Sequence, residues 1–257
     1  MKVAIVYTPD PVYLGRFIHR ILCKYHEEHE FVGIIATNSS MTKKKKWSEE
    51  LNYICALFLI LGPIEFIRNI FLVFRQKLRS KSPVQDFCEN NNIPFHKVST
   101  INGKACKGIL QRAKPDVIFN QSQHIVKKRI LDIPTIGTLN RHGAMLPKYR
   151  GRLAPFWQLM NGEEHGGVTF HLLNVKIDDG PIVFQKEIPI EKGDGFNDLV
   201  KKMFDNAVAY FGTALLTLEQ WSNQEVSLKE NKKGDSSYFS SPSLKDAVQY
   251  RINKLKR

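Results

Sequence analysis

Apolar runs separated by polar punctuation give this chain the rhythm of an α/β fold. Lys2–Tyr7 carries an unbroken apolar run from Val3 and predicts a buried first strand. Leu14–His26 follows with Phe17, Ile18, Ile21 and Leu22 on one stripe, which is helical spacing. Phe31–Thr37 reads as a second buried strand. Strand, helix and strand in this order open a parallel sheet. Val84–Asn92 and Lys104–Ala113 read as helices on either side of an extended segment, Ile93–Thr100. Val117–Asn120 and Ile136–Asn140 are further strands, joined by a short helix or turn at Lys127–Ile133. Val168–Leu173 and Pro181–Ile188 form two more, with Asn174–Gly180 between them. Phe196–Gln220 is a long helix, because Leu199, Met203, Ala207, Phe211, Leu215 and Leu218 recur on one face. Beyond Ser222 the chain turns polar and predicts a small appendage with a last helix at Leu244–Leu255.

One segment breaks the rhythm. Leu51–Ile64 carries no charge over its fourteen residues. A spanning helix needs roughly 18–20 apolar residues, and Gly62-Pro63 interrupts the run. Two apolar helices are expected instead, with basic flanks at Lys43–Lys46 and at Arg75, Lys77, Arg79 and Lys81. Such an insertion suits a membrane surface or a contact between subunits, as in a homodimer. Buried helices with solvated basic ends fit the same pattern.

Composition narrows the partners without choosing one. Of 257 residues, 38 are Lys or Arg and 25 are Asp or Glu, a net charge of +13. That field favours phosphates, nucleotides, folate-type carboxylates, nucleic acid or an acidic membrane. The apolar fraction of 42% supports a sizeable core. Cys23, Cys55, Cys88 and Cys106 show neither Cys-x-x-Cys nor zinc spacing, so free thiols in a reducing compartment are expected, with no metal site. The first apolar run is too short for a secretory leader, and a cytoplasmic location is expected. No Gly-x-Gly-x-x-Gly follows the first strand, which removes the dinucleotide reading.

The chemistry gathers in "TLNRHGAMLPKYRG", Thr138–Gly151. Residues i and i+2 of a strand share a face, so Asn140 and His142 point together and Arg141 points away. Ligands of open α/β sheets sit outside the carboxyl ends of the strands. An amide and an imidazole there suit an oxygen that becomes negative during acyl transfer. Asp178-Asp179-Gly180 lies between two later strands, where a carboxylate can face His142. A plain hairpin turn explains the same three residues equally well.

Together "LNRHGAMLPKYRG" and "GGVTFHLLNVKIDDGPIV" resemble the catalytic domain of formyltransferases that use N10-formyltetrahydrofolate. Asn140, His142, Leu146-Pro147, Gly151, Asp178 and Gly180 match that pattern, whereas Arg141, Ala144 and Met145 depart from it. The resemblance runs from about Val117 to Phe211 and is absent over Lys43–Lys81. It implies a Rossmann-like open, mostly parallel sheet with helices on both faces. It also implies a catalytic domain over 1–221, with an insertion at about 41–82 and an appendage at 222–257. Asn140, His142 and Asp178 would be catalytic, with Asn140 and His142 donating to the oxyanion and Asp178 orienting His142 and relaying a proton. Gln121, Ser122, Gln123, His124, Ile125 and Val126 would hold the folate donor by backbone contacts to its pteridine, with Ile125 as an apolar wall and Asp178 beside it. Lys148 and Arg150 would meet acceptor phosphates or the folate tail. His171 matches a histidine of some members.

The acceptor is expected to be a nucleotide-linked amino sugar. About 35 residues follow Trp221, too few for the RNA-binding domain of a methionyl-tRNA formyltransferase, and nucleic acid is not the expected partner. Three alternatives stand beside it. One is a methionyl-tRNA formyltransferase-like enzyme without that domain. A second is a formyltetrahydrofolate hydrolase, which usually has an extra N-terminal domain where this chain begins with its first strand. The third is a non-enzymatic basic module for nucleic acid or membrane, hinted at only by "KKKKW".

Overall fold

A computed structural model describes residues 1–10, 12–38, 47–232 and 236–256. The basic run Lys43–Lys46 therefore lies outside the described residues. Seven strands form one sheet: β1 (Lys2–Tyr7), β2 (Glu30–Thr37), β3 (Phe95–Val98), β4 (Val117–Gln121), β5 (Gly137–His142), β7 (His165–Leu172) and β8 (Ile182–Pro189). Their spatial order is β3-β2-β1-β4-β5-β7-β8. The first five run parallel, and β7 and β8 add as an antiparallel hairpin. The expected mostly parallel sheet is found.

The sheet divides the core in two. On one face lie α1 (Leu14–Tyr25), α4 (Pro83–Asn90), α7 (Ala154–Met160) and the 27-residue α8 (Phe196–Ser222). Val3, Ile5, Phe119, Leu139 and Phe170 point from the strands into this layer. On the other face, Ala4, Val6 and Ile118 meet α5 (Lys104–Ala113) and the one-turn α6 (Lys128–Leu131). Alternation along each strand sends neighbours to opposite layers. Leu139 and Arg141 thus share the α8 face, while Asn140 and His142 share the other.

The insertion is a helical hairpin, α2 (Trp47–Leu61) and α3 (Pro63–Lys77). Gly62 at φ +83° and Pro63 at the first helical position end one helix and start the next. The pair is bent by 119°, and no single helix among the described residues is long and apolar enough to cross a membrane. Ala56 and Ile60 are buried against the body, but many of the hairpin's large apolar side chains face solvent.

The polar tail is more than an appendage. β9 (Tyr238–Phe239) pairs in parallel with β6 (Arg150–Gly151), and the Arg150 and Arg152 amides donate to the Ser237 and Phe239 carbonyls at 2.8 and 2.9 Å. Phe239 stacks between Tyr149 and Trp157 at 5.3 and 4.8 Å. Ala247 and Tyr250 of α9 (Leu244–Lys256) are buried, and Tyr250 packs on Phe156. The sequence could not show this closure, because two-residue strands carry no periodicity.

Gly151 is where this closure is tightest. Its φ is +99°, and a Cβ there would sit 2.2 Å from the Phe239 carbonyl oxygen. Gly151→Ala is expected to lower stability by about 1–3 kcal/mol through strain alone. Loss of the β6–β9 bonds would add to that. A urea titration of the variant checks this, with an unchanged midpoint as the contrary result.

Candidate active site

β5 carries Asn140 and His142 to the carboxyl end of the sheet, and β7 pairs with it in antiparallel register. Asn140 faces His171 across that pair, and His142 faces Thr169. The Asn140 amide nitrogen lies 3.1 Å from His171 Nε2, and the Asn140 carbonyl accepts from Gln121 Nε2 at 3.3 Å. The other His171 nitrogen, Nδ1, lies 3.1 Å from the Leu172 carbonyl and must donate to it. In the neutral ring Nε2 is then an acceptor for the Asn140 amide. One amide proton of Asn140 is left to point elsewhere.

Asp178 completes the cluster. Its Oδ2 is 3.6 Å from His142 Nδ1, and its Oδ1 is 3.6 Å from His171 Nε2. The Gly151 N–H donates to Oδ2 at 2.9 Å. Asp178 holds a left-handed backbone, φ 48°, a conformation disfavoured outside glycine. Gly180 follows with no room for a Cβ, which would lie 1.9 Å from the Leu172 carbonyl oxygen. The three expected catalytic side chains thus converge, and His171 joins them as a buried positioning group.

The electrostatics separate the two partners. Burial alone would raise the Asp178 carboxyl, yet His142, His171 and the Gly151 N–H outweigh it and hold it well below the usual range. His142 shifts down from its ordinary value of 6.5, because burial penalises the imidazolium more than Asp178 favours it. At neutral pH the pair is an ionised carboxylate beside a neutral ring. His142 Nε2 lies 2.7 Å from the Tyr149 carbonyl and donates to it. The bare Nδ1 then faces the carboxylate. The ring's one N–H is thus already engaged, which departs from the expected donation by His142 to an oxyanion. Asn140 alone keeps a free donor.

Arg150 also differs from expectation. Its guanidinium is buried, 2.5 Å from Asp179 Oδ1 and 3.0 Å from Asn231 Oδ1. The Asn231 amide in turn donates to the Asp178 and Gly180 carbonyls at 2.9 and 3.0 Å. Arg150 therefore braces the Asp178–Gly180 turn, with its guanidinium engaged inside the protein. Asn231 went unnoticed in the sequence because a lone asparagine in a polar tail carries no signal. Lys148 is exposed beside a small cavity of about 160 Å³ with Glu163 and Glu187, away from the main cleft.

The expected donor loop divides as well. Gln121 is buried and braces both Asn140 and Arg141. The Ser122 hydroxyl donates to Asn120 Oδ1 at 2.8 Å, and the Gln123 amide donates to Thr8 Oγ1 at 3.0 Å. His124 bonds the Asn38 carbonyl, and Ile125 is 67% exposed. The Val126 side chain is buried in the α5 layer, which leaves its backbone as the part that can meet a ligand. Arg141, which the family pattern left unexplained, lies 4.2 Å over Phe204 and donates to Gln121 at 3.1 Å. Met145 packs over Gly167, where any Cβ would lie 2.5 Å from its sulfur. Among the described residues no group of His, Cys, Asp and Glu is arranged to hold a metal ion.

Residues 72–215, more than half of the chain, match the family model described as formyl transferase. The chain belongs to the formyl transferase family. It is 32% identical to the methionyl-tRNA formyltransferase of Thermotoga maritima, over 61% of this chain and 50% of that protein. It is 41% identical to the bifunctional polymyxin resistance protein ArnA of Wigglesworthia glossinidia brevipalpis, over 44% of this chain but only 17% of that one. The chain thus spans about half the length of the methionyl-tRNA formyltransferases it matches. Among solved structures, the phosphoribosylglycinamide formyltransferase of Anaplasma phagocytophilum superposes with a TM-score of 0.63 at 12% identity, covering 93% of this chain and 97% of that one. WlaRD, a sugar 3N-formyl transferase, superposes at 0.60 with 18% identity, over 99% and 78%. These last two likenesses establish the formyltransferase fold.

The titration of the pair has a sign. The folded His142 resists protonation, so the unfolded chain binds that proton first and stability falls as pH drops below about 6.5. Asp178, depressed in the fold, contributes above about 3.9 and loses that contribution on further acidification. His142→Asn should flatten the fall in urea midpoint between about pH 7 and 5. A variant as acid-sensitive as the wild type would contradict this.

Proposed function

We propose that this formyltransferase moves a formyl group from N10-formyltetrahydrofolate to a primary amine. The observation that carries the reading is the convergence of Asn140, His142 and Asp178 at the carboxyl end of β5. The donor's formyl oxygen accepts the free Asn140 amide proton, which stabilises the oxyanion of the tetrahedral intermediate. The attacking amine loses its proton to His142 Nδ1, directly or through a water, and the imidazolium formed is paired by Asp178; collapse of the intermediate then breaks the bond from the formyl carbon to N10, and the imidazolium returns the proton to that nitrogen as tetrahydrofolate leaves. A depressed His142 pKa keeps the base free at neutral pH. The donor occupies the crevice at the carboxyl ends of β4 and β5, beside Ser122–Ile125 and Asp178.

The acceptor proposed is an amino sugar carried on phosphate. A fold neighbour from Helicobacter canadensis, with a TM-score of 0.53, was solved with folinic acid and dTDP-3-aminofucose. The basic loop no longer argues for a nucleotide in particular, since Arg150 is engaged internally.

The test is formyl transfer from N10-formyltetrahydrofolate to amino sugars linked to a nucleoside diphosphate or to a lipid phosphate, with initiator methionyl-tRNA and acceptor-free controls. Formylated sugar is expected, and none of the controls should turn over. His142→Ala should cut kcat by about 10²–10⁴ with the fold intact. Formyl release without acceptor would replace the transferase by a hydrolase. Full activity in His142→Ala would remove the mechanism.

A further inference from the structure

The parallel strands reverse their direction of winding between β1 and β4, the place where open α/β sheets bind ligands. A cavity of about 910 Å³ opens there, at the upper end of small-molecule sites of about 300–1,000 Å³. Its floor is Arg141, His142 and Gln123, and its far wall is the α2–α3 hairpin with Leu57, Ile70 and Val73. Most of the remaining wall is apolar side chain from α8, the start of α7 and the loop before α1.

Two charged residues line it. Asp10 is occupied at the start of α1, where it accepts from the amides of Val12, Tyr13 and Leu14 at 2.9, 2.7 and 2.8 Å. Arg141 forms no ion pair among the described residues; it has only Gln121 and the rings of Phe204 and Phe17. Burial draws its pKa down only to about 10, so it stays charged at neutral pH. A guanidinium in an apolar chamber without a counter-charge is costly, which fits a site whose anion arrives with the ligand.

The outside of the hairpin has the same character. Ile64, Ile67, Phe71, Phe74 and Leu78 recur at three- and four-residue steps along α3 and just beyond it, and each is more than half exposed. Arg68, Arg75 and Arg79 are exposed beside that stripe. An apolar stripe edged with arginines suits the interface of an anionic lipid assembly.

We propose that the cavity binds a lipid phosphate, with its hydrocarbon chain along the hairpin wall and its phosphate at Arg141. This rests on the formyl-transfer reading and names the carrier of the amine: the group joined beyond the phosphate lies against His142. The acceptor is then drawn from a membrane across the hairpin.

Direct binding separates this from the donor chemistry. Dodecyl phosphate, dodecyl maltoside, inorganic phosphate and uridine diphosphate are titrated calorimetrically into the whole chain, with folinic acid as a probe of the donor crevice. Dodecyl phosphate should bind at least tenfold tighter than each of the other three non-folate probes. Arg141→Leu should weaken it by roughly tenfold or more, the usual weight of a charge-assisted pair. Val73→Trp, which fills the cavity from the hairpin side, should do the same. Folinic acid affinity should stay within about twofold in both variants, which shows that they are folded. Equal binding of dodecyl maltoside, tighter binding of uridine diphosphate, or indifference to both variants would overturn the lipid carrier while leaving formyl transfer standing. Loss of folinic acid binding in the wild type would instead strike the donor reading.

Discussion

Burying the Asp178 carboxylate requires polar neighbours, and separate segments of the chain supply them. Gly151 brings its N–H from β6, His142 comes from β5 and His171 from β7. Asn231, from the tail, ties down the carbonyls on either side of the turn. A buried charge without such partners would cost several kcal/mol. The fold around the site can therefore be read as the set of connections that brings these groups together. The β5–β7 register sets Asn140 against His171, and β6–β9 pairing fixes the loop that carries Gly151 and the Tyr149 carbonyl.

The same arrangement divides labour between the two faces of β5. Asn140 and His142 lie beside the carboxylate, among polar groups. Arg141 faces the opposite layer, among phenylalanine rings, with no acid beside it. One strand thus presents the Asp178 cluster on one side and an unbalanced positive charge on the other, at the floor of a largely apolar chamber. A family member with an apolar residue at this position would lack that charge; Arg141 is one of three positions, with Ala144 and Met145, where this chain departs from the family pattern.

Long apolar runs made the strands and α8 legible in the sequence, because burial on one or both faces imposes a period. The i, i+2 relation of Asn140 and His142 was legible for the same reason. Arg150 was misread because a sequence shows a charge and not its partner; Asp179 lies nearly thirty residues away and Asn231 about eighty. α7, with seven residues, and the two-residue strands β6 and β9 are too short to show periodicity. The hairpin helices were foreseen. Their role as the wall of a cavity was not, since it depends on packing against α9 and α8.

The central claim is that an ionised Asp178 stands beside a neutral His142 whose proton sits on Nε2. Nitrogen-detected NMR of the histidine rings, assigned with His142→Asn and titrated from about pH 8 to 4, measures this directly. The account predicts the Nε2–H tautomer at neutral pH and a midpoint below 6.5. A doubly protonated His142 ring at neutral pH, or a proton on Nδ1 alone, would contradict it.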